Sequence, residues 1–260
     1  MDTTAATDTF SANARIVLVT GGSRGIGAET AKLFARNGYD VCINYLQNGE
    51  AAEKVRNEII ALGRRCITVK ADVSVGSEVA KLFNKVDREL GVLSVLVNNA
   101  AILMAQSRLI DITEDRFNEV LQKNVLSCFL CCKEAVNRMS TKNGGAGGAI
   151  VNVSSTAAKS GSPGEYVDYA ASKSAVDTLT KGLALEVASE GIRVNAVRPA
   201  LIYTQMHTSG GETGRVDRLK SKIPLQRGGL PEEVAEAIFW LASEKSSFST
   251  GGFIDVAGGL

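Results

Sequence analysis

The sequence IVLVTGGSRGIG at residues 16-27 decides the fold class of this chain. Residues 16-19 form a short apolar run of β-branched character. After Gly27, apolar side chains recur at helical spacing as far as Asn37. A strand, a glycine-rich turn and a helix in this order are typical of the phosphate-binding start of a dinucleotide-binding fold. The stretch therefore predicts a nucleotide-binding unit near the start of the chain.

Three of the glycines in this turn have separate predicted roles. Gly21 allows the tight turn, Gly25 lets the backbone approach the ligand, and Gly27 lets the helix pack closely against the strand. The free backbone amides at the start of the helix then face the pyrophosphate. A turn without a ligand is the alternative, and the flanking strand and helix argue against it. The candidate cofactor-binding residues here are Gly21, Ser23, Arg24, Gly25, Ile26 and Gly27.

Strand-like and helical patterns alternate through the rest of the chain. Strands are predicted at 16-20, 40-45, 66-70, 93-98, 149-154, 192-197 and 252-255. Helices are predicted at 25-37, 49-63, 75-90, 114-140, 165-190 and 231-243. Such alternation indicates parallel strands joined by right-handed helical crossovers. We therefore predict an α/β fold, a Rossmann-type doubly wound parallel β-sheet with helices on both faces, in a single domain at 15-260 after a flexible N-terminal tail at 1-14.

Composition limits the classes of partner and the location. The chain has 29 Lys and Arg against 28 Asp and Glu, a net charge of +1, so charge gives no support for a nucleic-acid or membrane partner. No apolar run approaches the length of a membrane span, and the polar start has no secretory signal pattern. Five cysteines, an odd number, predict reduced thiols and a cytoplasmic location.

Cys128, Cys131 and Cys132 lie close together on a predicted helix. The Cys-x-x-Cys spacing of the first two would permit a metal site. However, no second cysteine pair follows, and the single histidine, His207, lies far along the chain. Thiols packed on an apolar helix face are the preferred interpretation, and we expect no bound metal.

A second informative stretch is Tyr169-Ala170-Ala171-Ser172-Lys173, preceded by Ser154-Ser155. Residues four apart lie on the same helix face. A lysine there favours the phenolate and lowers a tyrosine pKa from its usual value of about 10. Such a tyrosine can exchange a proton with a substrate oxygen near neutral pH, and a serine hydroxyl could hold that oxygen. Such a pair also occurs on ordinary exposed helices. The other motifs in this sequence favour the catalytic interpretation.

Together these motifs resemble the classical short-chain dehydrogenase/reductase family over essentially all of 15-260. The resemblance rests on the turn at 20-27, on Asn98-Asn99-Ala100-Ala101, on the Tyr169 and Lys173 pair, on the proline-containing turn at 198-204, and on the ending at 255-259. Each motif alone is moderately specific, whereas all of them in this order are highly specific. Ala200 departs from the family, which usually has glycine there.

The resemblance implies a catalytic role for four residues. Tyr169 would donate the proton in reduction and accept it in oxidation. Lys173 would lower the tyrosine pKa and hold the nicotinamide ribose, while Asn124 would anchor a water relay to that lysine. One extra residue separates the serines from Tyr169, so counting does not fix the catalytic serine. Ser155 aligns best, with Ser154 second and Thr156 third.

The end of the second predicted strand indicates which dinucleotide binds. An NAD enzyme typically has Asp or Glu there, but residues 41-46 carry no carboxylate. Arg24 offers a guanidinium suited to a phosphate, so we predict NADP(H), with NAD(H) as second choice. Asn44 and Tyr45 are expected near the adenosine ribose, and Asp72 and Val73 beside the adenine. The candidates outside the glycine turn are Asn44, Tyr45, Asp72, Val73, Asn98, Ala100, Tyr169, Lys173, Pro199, Ile202 and Thr204.

The predicted function is an oxidoreductase that transfers hydride between NADP(H) and a carbonyl/alcohol pair of a small substrate, as a ketone or aldehyde reductase or a sugar or alcohol dehydrogenase. A 3-oxoacyl carrier protein reductase-like activity is the alternative within the enzyme class. A non-catalytic nucleotide-binding scaffold or sensor is the alternative outside it, and the presence of Tyr169, Lys173 and the serines argues against it. The irregular segment 203-227 is the predicted mobile lid.

The two longest predicted helices, 114-140 and 165-190, are apolar on more than one side. A helix of this kind is buried on more than one side, so one sheet face does not account for it. We therefore predict self-association, as a homotetramer or a homodimer.

Overall fold

The structure, a computed structural model, describes residues 15–260, and the tail predicted at 1-14 lies outside the described residues. Its β-strands are β1 (Ile16–Val19), β2 (Asp40–Tyr45), β3 (Cys66–Lys70), β4 (Val95–Asn98), β5 (Gly148–Val153), β6 (Ile192–Pro199) and β7 (Phe253–Val256). They form one seven-stranded sheet in the order β3-β2-β1-β4-β5-β6-β7. Every adjacent pair is parallel. The predicted strands therefore match the observed ones to within about two residues, the usual uncertainty of element ends.

The α-helices are α1 (Gly25–Arg36), α2 (Gly49–Ala61), α3 (Gly76–Glu89), α4 (Glu114–Leu121), α5 (Ser127–Met139), α6 (Ala157–Ser160), α7 (Val167–Val187), α8 (Met206–Ser209), α9 (Arg215–Leu219) and α10 (Pro231–Ala242). Helices α1, α2 and α10 contribute to the core on one face of the sheet. Helices α3, α5 and α7 contribute to the core on the other face. The predicted doubly wound fold in a single domain is confirmed.

Strand β1 illustrates how the sheet is covered on both faces. Its four side chains are all buried. Val17 and Val19 belong to the core beneath α1, whereas Ile16 and Leu18 belong to the core beneath α3. Alternate residues of a strand point to opposite faces, so a strand covered twice needs an unbroken apolar run. This requirement explains why residues 16-19 are all apolar.

The predicted helix at 114-140 is one helical path with an irregular centre. Helix α4 continues into a π-helical turn (Gln122–Leu126), which continues into α5. A π turn inserts an extra residue into the helical repeat, and such turns are frequent at functional sites. Asn124 lies within it.

The cysteines are free and buried. Burial raises the pKa of the Cys131 thiol well above its usual range. Over residues 15–260 there is no cluster of three or more histidine, cysteine or acidic side chains placed to hold a metal ion. Within the same residues, no helix combines the length and apolar character needed to cross a membrane.

The carboxyl ends of the parallel strands meet at one edge of the sheet. The strand order reverses beside β1, which lies between β2 and β4. In doubly wound sheets, ligands bind at this edge near this reversal. The segments that follow β1, β4, β5 and β6 therefore form the site.

Candidate active site

The turn between β1 and α1 has a backbone that glycine alone fits well. Gly21 and Gly25 have positive φ values of 62° and 53°, a conformation that side chains with a Cβ rarely adopt. A Cβ atom at Gly27 would lie 2.5 Å from Asn99 Nδ2 and 2.5 Å from the Gly21 carbonyl oxygen. The close packing predicted for Gly27 is therefore present.

Thr20 and Asn99 fasten this turn to the end of β4. The Thr20 hydroxyl accepts hydrogen bonds from the backbone amides of Asn99 and Ala100, each at 3.0 Å. Asn99 Nδ2 donates to the carbonyl oxygens of Thr20 and Gly21, at 2.9 and 3.0 Å. Sequence reasoning did not single out either side chain, although both lie within motifs that it quoted. The bonds hold two neighbouring strand ends in register.

The Asn44 side chain is directed into the protein. Its Oδ1 accepts from the Gly21 amide at 3.4 Å, and its Nδ2 donates to the Ala71 carbonyl oxygen at 3.0 Å. Asn44 is buried, whereas the next residue, Tyr45, is partly exposed at the end of β2. Asn44 therefore supports the glycine turn from behind, and Tyr45 is the better placed of the two to reach a ribose.

Two further predicted cofactor residues also have structural partners. The Asp72 carboxylate accepts from Lys123 Nζ at 2.5 Å and from the Ser74 hydroxyl at 2.6 Å. Asn98 Nδ2 donates to Asn152 Oδ1 at 2.9 Å, beneath the strand ends. These bonds occupy the side chains of Asp72 and Asn98, and Val73 is buried next to Asp72.

The remaining predicted cofactor residues lie around a common cleft. Pro199 at the end of β6, and Ile202 and Thr204 just after that strand, line the cleft together with Ile26 from the glycine turn. A Cβ atom at Gly25 would lie 3.4 Å from Thr204 Cγ2, so the two segments are adjacent. In the turn itself, Arg24 is exposed, while Ser23 is partly exposed. Ala200 does not strain its turn, because its φ is not positive.

Tyr169 and Lys173 both line this cleft from α7. Lys173 is 3% exposed, and its Nζ donates to the Val153 carbonyl oxygen at 2.7 Å. The Nζ lies 5.6 Å from the centre of the Tyr169 ring. The two side chains are thus brought together as their spacing predicts.

The pKa values of this pair differ from the expectation. Burial raises the pKa of the Tyr169 phenol to about 12, and a side-chain hydrogen bond with Ser155 opposes the rise. Burial lowers the pKa of Lys173 to about 8. The expected lowering of the tyrosine pKa by the lysine does not dominate here, because burial of the phenol has the larger effect and the lysine ammonium is engaged by a backbone carbonyl.

The serines after β5 have distinct surroundings. The Ser154 hydroxyl is buried and donates to the Lys173 carbonyl oxygen at 3.2 Å. The Ser155 hydroxyl accepts from the Ala157 amide at 3.1 Å, donates to the Pro199 carbonyl oxygen at 3.4 Å, and is the serine hydroxyl near enough to Tyr169 to oppose the rise in the pKa of that phenol. In the loop between α6 and α7, which precedes Tyr169, Ser162 has a positive φ of 44°.

We expect Ser155→Ala to lower kcat/KM much more than Ser154→Ala, because Ser155 is the serine that acts on the Tyr169 phenol, whereas the Ser154 hydroxyl is buried and donates to the Lys173 carbonyl oxygen. Loss of a hydrogen bond to a reacting oxygen typically costs on the order of 10-fold to 1000-fold. Steady-state kinetics of the two matched variants measure the difference. Equal losses, or a larger loss at Ser154, would contradict the assignment of Ser155.

Asn124 is fixed by both of its amide atoms. Its Oδ1 accepts from the Ile102 amide at 2.8 Å, and its Nδ2 donates to the Ile102 carbonyl oxygen and the Ser172 hydroxyl, each at 3.0 Å. Asn124 and Lys173 both line a small internal cavity of about 10 Å³. That volume is close to the minimum that holds one water molecule.

The cleft has a volume of about 340 Å³ and extends from the glycine turn past Tyr169 to the predicted lid at 203-227. Helices α8 and α9 lie in this lid. Arg215 of α9 forms ion pairs with Glu165, from the α6–α7 loop, and with Glu212. Glu165 and Arg215 are fifty positions apart, and nothing in the local sequence pattern of either residue indicates the pair.

Comparisons with known proteins agree with this geometry. The family described as Enoyl-(Acyl carrier protein) reductase matches residues 21–260. The chain belongs to the short-chain dehydrogenase/reductase family. The resemblance found in the sequence is confirmed, and with it the assignment to an oxidoreductase family of Rossmann fold.

Three relatives of this short-chain dehydrogenase/reductase have informative names. It is 60% identical to the uncharacterized oxidoreductase YgfF of Escherichia coli K12, over 94% of this chain and 99% of that one. It is 39% identical to the 3-oxoacyl-[acyl-carrier-protein] reductase of Synechocystis, over 95% of this chain and 97% of that one. It is also 34% identical to a short chain dehydrogenase from Burkholderia cenocepacia, whose crystal structure is in complex with NADP. The two structures match with a TM-score of 0.87, over 94% of this chain and 97% of that one.

Proposed function

We propose that this protein is an NADP(H)-dependent oxidoreductase that interconverts a carbonyl and an alcohol on a small substrate. The observation that carries the proposal is the convergence of Ser155, Tyr169 and Lys173 with the glycine turn in one cleft of about 340 Å³. Clefts of this size suit a small molecule. Ile26 brings the start of α1 to the edge of this cleft, and the free amides at the start of a helix fit a pyrophosphate.

Each of the grouped side chains has a task in this reaction. When bound, the nicotinamide supplies or accepts the hydride. Ser155 donates a hydrogen bond that holds the substrate oxygen, and Tyr169 passes its phenolic proton to that oxygen in reduction. A phenol with a pKa of about 12 is protonated at neutral pH, which is the form that reduction requires.

Lys173 and Asn124 support the proton transfer. With its pKa lowered to about 8 by burial, the Lys173 ammonium can release a proton more readily than an ordinary lysine. The cavity that it shares with Asn124 is the proposed location of the relay water that reprotonates this group. Lys173 also remains our candidate for holding the nicotinamide ribose.

The preference for NADP(H) over NAD(H) is supported by the charges around the turn. Arg24 is exposed beside the start of α1, and the end of β2 carries no carboxylate. A guanidinium there matches a phosphate on the adenosine ribose. The related structure in complex with NADP is consistent with this assignment.

We expect Arg24→Ser to raise the KM for NADPH by about 10-fold to 100-fold while the KM for NADH changes little, because a charge-assisted bond to the phosphate is lost. Arg36→Ser is the matched control, since Arg36 is an exposed arginine at the other end of α1. A wild-type preference for NADH, or equal changes for both nucleotides, would contradict the assignment.

Enzyme assays can distinguish two alternative functions from the proposed one. A 3-oxoacyl carrier protein reductase activity is suggested by the Synechocystis relative, and it would appear as turnover of an acyl thioester far above that of free ketones. A non-catalytic scaffold or sensor would bind nucleotide without turning over any carbonyl. The intact set of Ser155, Tyr169 and Lys173 favours an enzyme.

Assembly and location stay predictions. Leu126, Phe129 and Leu185 are 40%, 47% and 71% exposed, and such side chains support self-association through α5 and α7, as a homotetramer or a homodimer. Free buried thiols are consistent with the cytoplasmic location inferred from the cysteine count.

A further inference from the structure

A buried arginine lines the outer end of the cleft. Arg215 of α9 is 9% exposed, and its guanidinium carbon lies 5.1 Å from the centre of the Tyr166 ring. An arginine with free terminal nitrogens in such a place would bind a carboxylate in a bidentate manner. Whether it does so here depends on what those nitrogens already contact.

Both terminal nitrogens of Arg215 contact carboxylates of the protein itself. Nη1 donates to Glu165 Oε1 at 3.1 Å and to Glu212 Oε2 at 3.2 Å, and Nη2 donates to Glu165 Oε2. Glu212 in turn accepts from Arg218 Nη2 at 2.9 Å and from Gln106 Nε2 at 2.8 Å. The charges of the two arginines and two glutamates cancel, so this end of the cleft offers no free cation.

The other charged side chains do not change this balance. Among the described side chains that line the cleft, those of Glu165, Lys173 and Arg215 are the ones charged at neutral pH. Lys173 lies at the catalytic end, where its Nζ donates to Val153. His207 lines the cleft as well, but burial lowers its pKa, which keeps the ring neutral. The other side chains that line the cleft are uncharged, and Leu103 and Met206 are apolar examples among them.

We propose that Glu165 sets the substrate class of this site: the cleft accepts uncharged carbonyl compounds and excludes those that carry a carboxylate. The proposal rests on the proposed function. A carboxylate at the outer end must displace Glu165 from Arg215 or lie beside Glu165 without a partner, and both are unfavourable because the Arg215 side chain is only 10% exposed. An ester or a ketone requires neither. Glu165 is therefore a specificity-determining residue, through its bond to Arg215.

Ethyl 3-oxobutanoate and 3-oxobutanoate form a matched pair of probes, since both carry the same ketone and they differ in charge. For the wild-type protein with NADPH, we expect kcat/KM for the ester to exceed that for the acid by at least about tenfold, because the substrate carboxylate and Glu165 would be like charges brought together. Comparable values for the two probes would overturn the proposal.

Glu165→Gln tests the residue itself. Glutamine keeps the shape and the acceptor oxygen but removes one charge, which leaves Arg215 with charge to offer a substrate carboxylate. We expect the acid-to-ester ratio of kcat/KM to rise by about tenfold, mainly through a lower KM for the acid. Glu186→Gln is the control, because Glu186 is exposed on α7 and does not line the cleft. A ratio that moves equally in both variants, or in neither, would refute the role of Glu165.

Binding measurements separate this proposal from the proposed function. Calorimetry with each probe and the NADP⁺-loaded protein requires no turnover, and NADPH fluorescence reports that each variant still binds nucleotide. If no carbonyl is reduced but the ester binds and the acid does not, the catalytic proposal fails and the charge selection stands. If the acid binds as well as the ester, the charge selection fails, whatever the turnover.

Discussion

Tyr169→Phe is expected to lower kcat by about 10²-fold to 10⁴-fold while nucleotide affinity stays close to that of the wild type. The ring and its packing on α7 remain, and only the hydroxyl that carries the proton is removed. The Ser155 hydroxyl keeps its bonds to the Ala157 amide and the Pro199 carbonyl oxygen, so the serine should stay in place. Stopped-flow or steady-state oxidation of NADPH measures kcat, and fluorescence titration measures nucleotide affinity.

Tyr39→Phe makes the same chemical change at a position remote from the cleft. Tyr39 is buried against Phe34 and Phe239 and does not line the pocket, so its variant should retain wild-type kcat. A Tyr169→Phe protein that kept more than about a tenth of wild-type kcat would rule out this tyrosine as the proton donor, because a general acid is typically worth far more than that.

Gly27→Ala should weaken nucleotide binding by about 10-fold to 100-fold and lower the free energy of unfolding by about 1–3 kcal/mol, the usual range for overpacking. The new methyl carbon would lie 2.5 Å from Asn99 Nδ2 and from the Gly21 carbonyl oxygen. Backbone cannot yield as a flexible side chain does. The contact can therefore be relieved only if α1 moves away from the turn. The backbone amides at the start of α1, which are predicted to face the pyrophosphate, would move with it.

Gly182→Ala is the matched control for that substitution. Gly182 lies on α7 with no heavy atom within 4 Å of an added Cβ, so alanine should stabilise the helix by up to about 1 kcal/mol. Denaturant unfolding and nucleotide titration of the two variants make the comparison. If Gly27→Ala unfolded and bound nucleotide like the wild type, close packing at this turn would not be what the function requires.

The fold could be predicted because its rules are local and repeated. A strand buried on both faces needs an unbroken apolar run, as residues 16-19 show, and a helix over a sheet needs apolar side chains at its own spacing. The order of these patterns then implies parallel strands. The close packing at Gly27 was also predictable, since its reason is steric and lies within one short motif.

The parts that escaped prediction depend on partners distant in the chain. The side-chain amide of Asn44 bonds to Gly21 and to Ala71, which follows the next strand, and the local pattern around Asn44 indicates neither partner. The pairing of Glu165 with Arg215 joins two irregular segments whose conformation no periodic pattern specifies. The pKa of Tyr169 depends on how deeply the phenol is buried, which spacing along a helix does not reveal.

The sheet order also determines when this site can first exist. Asn99 Nδ2 donates to the Thr20 carbonyl oxygen across 79 positions, and Thr204 meets the glycine turn from still farther along the chain. Such long closures cost chain entropy before they give any contact energy, so folds built on them form slowly. A nascent chain that has left the ribosome only as far as β4 therefore has its glycine turn but lacks Thr204 and the rest of the segment that lies against the turn. Nucleotide binding becomes a property of the finished chain.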